Sequence, residues 1–105
     1  MKRIRWTQRA VRRLDQIGAF IEKDNPAAAE RVIARIVSCV DNLAEQPAMG
    51  RAGRVKGTRE LVLADIPYII PYRVIGGEIE ILTVMHAAQR WPRQLQTPLA
   101  FCLQA

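Results

Sequence analysis

The single histidine of the chain, His86, is the residue best suited to acid–base chemistry. It ends a run of β-forming residues and precedes Trp91 in the chain. Imidazole is the most frequent general acid–base group in enzymes, and here it could take a proton from a ribose 2′-hydroxyl that attacks the adjacent phosphate. A histidine at a strand end can equally cap backbone groups or pack against Trp91, so both interpretations stay open.

A second candidate is the basic, glycine-broken segment between Gly50 and Leu61. Its positive residues are Arg51, Arg54, Lys56 and Arg59. Such a group could hold the phosphates of RNA or DNA. It could also contact an acidic protein, or form a solvated loop in which Arg59 pairs with its neighbour Glu60.

Arg73 could stabilise a phosphate in a transition state. However, Gly76-Gly77 predicts a two-residue hairpin turn, and this turn places Arg73 opposite Glu80 and Ile69 opposite Val84. A cross-strand ion pair is then a sufficient explanation for the arginine. An arginine neutralised in this way is less useful to a phosphate.

The charge of the whole chain narrows the class of partner. The formal net charge is +6 with a pI near 10.2, and thirteen of the sixteen positive residues are arginine. This excess favours an anionic partner, either nucleic acid or an acidic protein. Without a membrane-length apolar run, a secretory signal or metal-like cysteine spacing, we expect a cytoplasmic protein with no cofactor and no metal.

Hydrophobic periodicity predicts an α-helical hairpin that follows a short strand over residues 2–6. Thr7 is a suitable N-cap for a helix over 8–22, and Asn25 with Pro26 for a second helix that runs to about Gln46. The apolar stripes of the two helices are Ala10, Leu14, Ile17 and Ile21, and Ala29, Val32, Ile33, Ile36, Val40 and Leu43, with Cys39 at the border.

After a loop over 47–57, the period changes to two and predicts strands over 61–63, 68–75 and 78–85. Pro71 lacks an N–H, so its strand should lie at an edge or carry a bulge there. We assign one sheet face to the helices: Tyr68, Ile70, Tyr72, Val74, Ile79, Ile81, Thr83 and Met85. The second face is too apolar to be left in water: Ile69, Pro71, Arg73, Ile75, Glu80, Leu82, Val84 and His86.

The chain is long enough for one domain, over 1–92, followed by a tail over 93–105. The tail still contains apolar residues, among them Leu95, Leu99 and Phe101. It could cover the second sheet face or dock on a partner.

Five short motifs follow one another along residues 3–92: Trp6-Thr7, Pro47-x-x-Gly50-Arg51, Gly57-Thr58-Arg59-Glu60-Leu61, Tyr72-Arg73-Val74 and Ile81-Leu82-x-Val84-x-His86. In this order they resemble the RelE/ParE superfamily of bacterial toxins from type II toxin–antitoxin modules. The resemblance implies an α+β fold in which an N-terminal β-strand and an α-helical hairpin precede a three-stranded antiparallel sheet packed on the helices. It also implies a cognate antitoxin, usually acidic and partly disordered, that wraps the toxin.

Members of the superfamily have one of two activities, and the resemblance to the superfamily does not decide between them. RelE-like members cut messenger RNA on the ribosome with basic residues and a His or Tyr, whereas ParE-like members bind and block DNA gyrase without an active site of their own. When the chain is aligned through Tyr72-x-Val74, Ile69 stands where the nucleases carry a basic catalytic residue. An aliphatic side chain can neither hold a phosphate nor transfer a proton.

We therefore favour a ParE-like toxin that is not an enzyme, with DNA gyrase as its target and no membrane partner. The predicted partner-binding residues are Arg51, Arg54, Lys56, Arg59, Ile69, Leu82, Val84, His86 and Trp91. One alternative is a ribosome-dependent mRNA endoribonuclease that uses Arg54, Arg59, Arg73 and His86. The other is an inactive remnant that binds only its antitoxin or operator DNA.

Overall fold

The computed structural model describes residues 2–87, which contain two helices and six strands. In chain order they are β1 (Arg3–Trp6), α1 (Gln8–Glu22), α2 (Pro26–Asn42), β2 (Arg51–Ala52), β3 (Arg59–Val62), β4 (Tyr68–Ile75), β5 (Glu78–Ile81) and β6 (Met85–His86). The α+β class and the strand-then-hairpin order are confirmed. Trp91 and the tail over 93–105 lie outside the described residues.

The helical hairpin forms for the reasons that its sequence indicates. The Thr7 hydroxyl accepts a hydrogen bond from the Ala10 amide at 3.2 Å and itself donates to the Ile81 carbonyl at 2.8 Å, so the cap also ties α1 to the sheet. Asn25 Oδ1 accepts from the Ala28 amide at 3.0 Å, and Pro26 takes the first helical position.

The second helix ends at Asn42, four residues before the predicted Gln46. The amides that follow bond three residues back, Leu43 to the Val40 carbonyl at 2.9 Å and Ala44 to that of Asp41 at 3.2 Å. The last turn is therefore tightened, which is a common way to end an α-helix. In the described residues no helix is long and apolar enough to cross a membrane.

The sheet has the order β1-β5-β4-β3-β2, with β6 paired to β4. β1 runs parallel to β5, and every other pairing is antiparallel. Two of these strands were missing from the predicted three-stranded sheet. β2 is only two residues long, inside the predicted loop over 47–57, and β1 joins the sheet through a pairing distant in sequence.

One extra residue interrupts the predicted strand over 78–85. Near the hairpin turn the predicted register is confirmed, with Arg73 opposite Glu80. Beyond β5 the partner of Ile69 is Met85 and not the predicted Val84. The irregularity lies opposite Pro71, whose carbonyl accepts from the Leu82 amide at 2.9 Å, as expected for a bulge at a proline.

This bulge changes the faces of Val84, Met85 and His86, because a shift of one residue reverses every side chain of a strand. Val84 was predicted on the second face but is fully buried in the main core, whereas Met85 was predicted in the core and lies in a separate cluster. The main core lies between the helices and the sheet and includes Ala10, Ile17, Ile36, Cys39, Val40, Leu43, Leu61, Leu63, Ile70, Tyr72, Ile79, Ile81 and Val84.

The second sheet face is covered in part by the chain itself. Val55, in the loop between β2 and β3, forms the separate cluster with Leu82 and Met85, and all three are buried. The basic loop therefore shields Leu82 and Met85 from water, as the apolar character of this face requires. Val74 departs from the prediction too, since it is 38% exposed on the face assigned to the core.

Candidate functional site

A buried carboxylate organises the basic loop. The Glu60 side chain is only 1% exposed and lies on the sheet face away from the helices. Its Oε1 accepts from Arg51 Nη2 at 3.0 Å and Nε at 3.3 Å. Its Oε2 lies 3.6 Å from Arg54 Nε and accepts from the Arg54 amide at 3.1 Å. The loop that carries both arginines is thus attached to the sheet through one side chain.

Pairing of Arg59 with Glu60, one of the alternatives for the basic segment, does not fit the strand geometry. Successive residues of a strand point to opposite faces, so Arg59 turns towards the helix side while Glu60 points away. The Arg59 guanidinium instead donates to the Gly50 carbonyl at 2.9 Å and to the Ala48 carbonyl at 3.4 Å.

A second buried carboxylate, Glu80, is also held between two arginines. Arg73 Nε donates to its Oε1 at 2.7 Å, which confirms the predicted cross-strand pair. Arg5 of β1 contacts the other oxygen of Glu80 and lies 3.4 Å from Glu78 Oε2. Arg5 was not predicted here, because its contact depends on the parallel pairing of β1 with β5.

Tyr72 connects the start of the basic loop to the core. Its hydroxyl donates to the Pro47 carbonyl at 2.8 Å and accepts from the Gly50 amide at 2.9 Å, although the residue is fully buried. Burial raises the pKa of the Tyr72 hydroxyl, and the Gly50 hydrogen bond and the charge of Arg59 oppose this shift. The sequence pattern predicts only a core position for Tyr72, since the hydrogen bonds of its hydroxyl depend on the path of the loop.

Two glycines allow the loop to lie so close to the sheet. A Cβ on Gly53 would be 2.1 Å from Thr58 Oγ1, and one on Gly50 would be 2.7 Å from the Tyr72 ring. Neither position has room for a side chain. The glycine-broken character of the segment is therefore required by close packing.

His86 was predicted on the second face but lies on the helix side of the sheet, opposite to the face that the basic loop covers. It is half-buried, pairs with Tyr68 in the β4–β6 register, and contacts its ring edge-on with 5.5 Å between centroids. A cavity of about 430 Å³ opens beside it towards α1, lined also by Arg13 and Phe20. The predicted contact of His86 with Trp91 lies outside the described residues.

With this geometry established, comparison with known proteins decides the family. The family described as "ParE toxin of type II toxin-antitoxin system, parDE" matches residues 4–91. The chain belongs to the ParE toxin family.

Similar proteins agree with this membership. The protein Y4kP of Sinorhizobium fredii (strain NBRC 101917 / NGR234) is 72% identical over 94 residues, which cover 90% of this chain and 97% of Y4kP. Toxin RelE2 of Caulobacter vibrioides (strain ATCC 19089 / CIP 103742 / CB 15) is 38% identical over 89 residues, 85% of this chain and 99% of that protein. A solved structure described as "Chromosomal ParDE TA system from P. aeruginosa" matches with a TM-score of 0.75 and 32% identity, over 82% of this chain and 96% of that one.

In this ParE family member the four residues of the nuclease alternative are dispersed. Arg73 points away from the helices, whereas Arg59 pairs with Tyr72 on the helix side. His86 is on the helix side as well, but it lies four residues further along β4 and on the other side of that strand, on the order of 16 Å away. Arg54 lies in the β2–β3 loop against Glu60.

Among the predicted partner-binding residues that the structure describes, four are exposed, three are inaccessible and His86 is half-buried. Arg51, Arg54, Lys56 and Arg59 are exposed. Ile69 and Leu82 are each 4% exposed and Val84 is fully buried, so these three do not form part of the accessible surface. The bulge accounts for the burial of Val84, and the cover provided by Val55 accounts for that of Leu82. Within residues 2–87 the exposed large apolar side chains are Val11, Phe20, Val37, Met49, Val62, Val74 and Ile75.

Nothing in residues 2–87 groups three or more His, Cys, Asp or Glu side chains as metal ligands. Cys39 is buried, and its sulfur accepts from Arg35 Nη1 at 2.8 Å. Arg35 is also bonded to Asp65 at 2.6 Å, and this contact is the main cause of a lowered pKa at Asp65. The contacts among Cys39, Arg35 and Asp65 are therefore structural, and they do not point to a metal site.

Proposed function

We propose that this ParE family member arrests growth in the cytoplasm by binding and inhibiting DNA gyrase, and that a cognate acidic antitoxin neutralises it. The observation that carries a binding mode of action is the dispersal of Arg54, Arg59, Arg73 and His86. A nuclease needs its phosphate-binding and proton-transferring groups around one reacting atom. Here Arg54 and Arg73 lie on the sheet face away from the helices, whereas Arg59 and His86 lie on the helix side and are well separated along β4.

The contact surface for the target is the accessible part of the predicted set, namely Arg51, Arg54, Lys56 and Arg59. Their positive charge suits an acidic protein surface. Such complementary charges speed association and select the partner. The net charge of +6 likewise supports an acidic protein as the antitoxin.

The second candidate function is cleavage of messenger RNA on the ribosome. The observation in its favour is the 38% identity to the protein named Toxin RelE2. Against it stand the dispersed residues and Ile69, which is aliphatic and 4% exposed where the nucleases of the superfamily carry a basic group.

Induction of the chain in a bacterial host tests both candidates at once. We expect growth arrest, intact transcripts by primer extension, and loss of supercoiling activity when the purified chain is added to gyrase. Coexpression with the acidic polypeptide encoded beside the toxin should restore growth. A variant with Arg12→Gln and Arg31→Gln, two exposed helix arginines, serves as a charge-matched control for a variant with Arg51→Gln and Arg54→Gln.

Cuts inside codons that disappear in His86→Ala would replace the gyrase proposal with the nuclease. A folded chain that leaves growth unaffected would identify an inactive remnant. An equal loss of gyrase inhibition in the Arg51→Gln/Arg54→Gln variant and in the helix control would contradict the assignment of the contact surface to the basic loop.

A further inference from the structure

We propose that the sheet face turned away from the helices is a binding site for the phosphate backbone of duplex DNA. We call it the outer arginine face and define it by Arg5, Arg51, Arg54 and Arg73 with the buried Glu60 and Glu80. The site goes beyond the proposed inhibition of gyrase and does not depend on it, because it concerns DNA alone.

The strand registers place these residues on one side of the sheet. Arg5, Glu80 and Arg73 are in line across β1, β5 and β4. Arg51 and Glu60 are in line across β2 and β3, opposite Pro71, which lies two residues before Arg73. The two groups are therefore two strand spacings and two residues apart, on the order of 12 Å.

In each group the positive charges lie above the negative one. The side chains of Glu60 and Glu80 are 1% and 6% exposed, whereas those of Arg51 and Arg5 are 56% and 54% exposed. Arg54 and Arg73 are exposed by 45% and 33%. A polyanion that approaches from solvent meets guanidinium groups first. The Glu60 group has two arginines and one carboxylate and keeps one net positive charge. In the Glu80 group Arg5 also contacts Glu78, and Glu78 is opposite Arg3 in the β1–β5 register. The three arginines and two carboxylates of that group therefore also leave one net positive charge.

The carboxylates also hold the guanidinium groups in place before a ligand arrives. Arg73 uses Nε for Glu80, and Arg51 uses Nε and Nη2 for Glu60. A guanidinium carries five N–H donors, so each arginine retains donors for a phosphate oxygen. Side chains that are already ordered lose less conformational entropy on binding.

This face shares Arg51 and Arg54 with the contact surface proposed for gyrase, but the rest of the face favours nucleic acid over a protein partner. A protein interface needs an apolar centre, but the central apolar residues here, Ile69 and Leu82, are buried. The exposed ones, Val62 and Ile75, lie at opposite ends of the face. Contacts to phosphates require charge and donors rather than apolar area.

The same face favours a duplex over a single strand. Single-strand binders stack bases on aromatic side chains. Tyr68 and Tyr72 belong to the helix side, in or against the main core, and the outer arginine face as defined has no aromatic member. The contact we infer is therefore to the backbone and independent of sequence.

Fluorescence anisotropy with a labelled duplex of mixed sequence tests the proposal on the full chain. Four phosphate contacts give a salt slope of about −3.6, so affinity should fall about 150-fold between about 50 and 200 mM salt. The variant R5Q/R73Q, like R51Q/R54Q, removes two contacts and should lose only about 12-fold over that range, from a weaker start. The matched control R12Q/R31Q carries the same change in net charge on the helices and should keep the steeper slope.

A second measurement uses the unaltered chain, because loss of arginines beside a buried carboxylate could unfold a variant. NMR resonances of the arginine Nε–Hε groups should shift on addition of duplex for Arg5, Arg51, Arg54 and Arg73, and not for Arg12 and Arg31. Absence of duplex binding, shifts confined to helix arginines, or equal losses in the control variant would overturn the proposal. Shifts produced by a polyglutamate peptide but not by DNA would assign the face to an acidic protein instead.

Discussion

Single side chains of this protein satisfy several partners at once, and Tyr72 is the clearest example. Its hydroxyl serves both the Pro47 carbonyl and the Gly50 amide, two backbone groups of the segment between α2 and β2. Glu60 does the same for Arg51 and Arg54 a few residues further on. A buried polar group without its partner costs much more than a satisfied pair contributes. The shape of the basic loop is therefore sensitive to these residues.

We expect Tyr72→Phe to lower the free energy of unfolding by about 1–3 kcal/mol, because it leaves the Gly50 amide and the Pro47 carbonyl without their partner. Urea unfolding followed by circular dichroism measures the change. Tyr68→Phe is the control, since Tyr68 is half-buried and its ring contact with His86 does not need the hydroxyl. An equal loss in both variants would mean that the Tyr72 hydrogen bonds add no more to the free energy of unfolding than the Tyr68 hydroxyl does.

The same pair of proteins gives a pH test. The pKa of Tyr72 is raised in the folded state above its ordinary value of 10.0, mainly by burial. The unfolded chain therefore loses this proton first, and the stability from Tyr72 is complete below pH 10.0 and falls as pH rises through the folded-state pKa. The stability difference between wild type and Tyr72→Phe should shrink in that range, and a constant difference would contradict the raised pKa.

At the scale of elements, the interruption between β5 and β6 decides which residues enter the core. Pro71 cannot donate to its neighbour, and beyond this point the pairing partners shift by one residue. Val84 thereby enters the core and Met85 joins Val55 and Leu82 under the basic loop. The bulge thus attaches the loop to the sheet as well as redirecting the strand.

A pair of valine substitutions tests this register. Val84→Ala removes two methyl groups from a fully buried site and should cost about 2 kcal/mol in unfolding free energy, including the cavity. Val74→Ala, at a residue that is 38% exposed, should change it by less than about 0.5 kcal/mol. An uninterrupted strand would turn Val84 to the other face and remove most of this difference, so chemical denaturation of the two variants tests the bulge directly.

At the scale of the whole molecule, one hydrophobic cluster joins both layers. It contains residues of α1, α2, β3, β4 and β5, and Trp6 of β1 packs against it. Neither the helical hairpin nor the sheet has a separate core large enough to stand alone. The helices and the strands should therefore unfold together.

Ile36→Ala tests this cooperativity, because Ile36 of α2 is fully buried in the shared cluster. We expect a loss of about 2–5 kcal/mol in unfolding free energy. In a Trp91→Phe background, Trp6 fluorescence reports on β1 and far-ultraviolet circular dichroism reports on the helices. The two urea curves should coincide before and after the substitution, and Val37→Ala, at a residue that is 36% exposed, should shift neither by much. Separate transitions would show that the layers unfold independently.

Local features of the sequence determined the helical hairpin, the β4–β5 turn and the Arg73–Glu80 pair. Thr7, Asn25, Pro26 and Gly76-Gly77 act within a few residues of their own positions, so their effects can be derived without knowing the fold. The composition determined the basic charge, and the order of short motifs led to the correct superfamily.

Only the tertiary structure decided where the remaining charged residues lie. Arg5 reaches Glu80 because β1 joins the sheet parallel to β5, and Arg51 and Arg54 meet at Glu60 because a two-residue strand and a tightly packed loop return to β3. The burial of Val84 depends on a single extra residue in one strand. Each of these contacts joins residues through the register of paired strands, and a register is set by the packing of the complete sheet rather than by the pattern of any one strand.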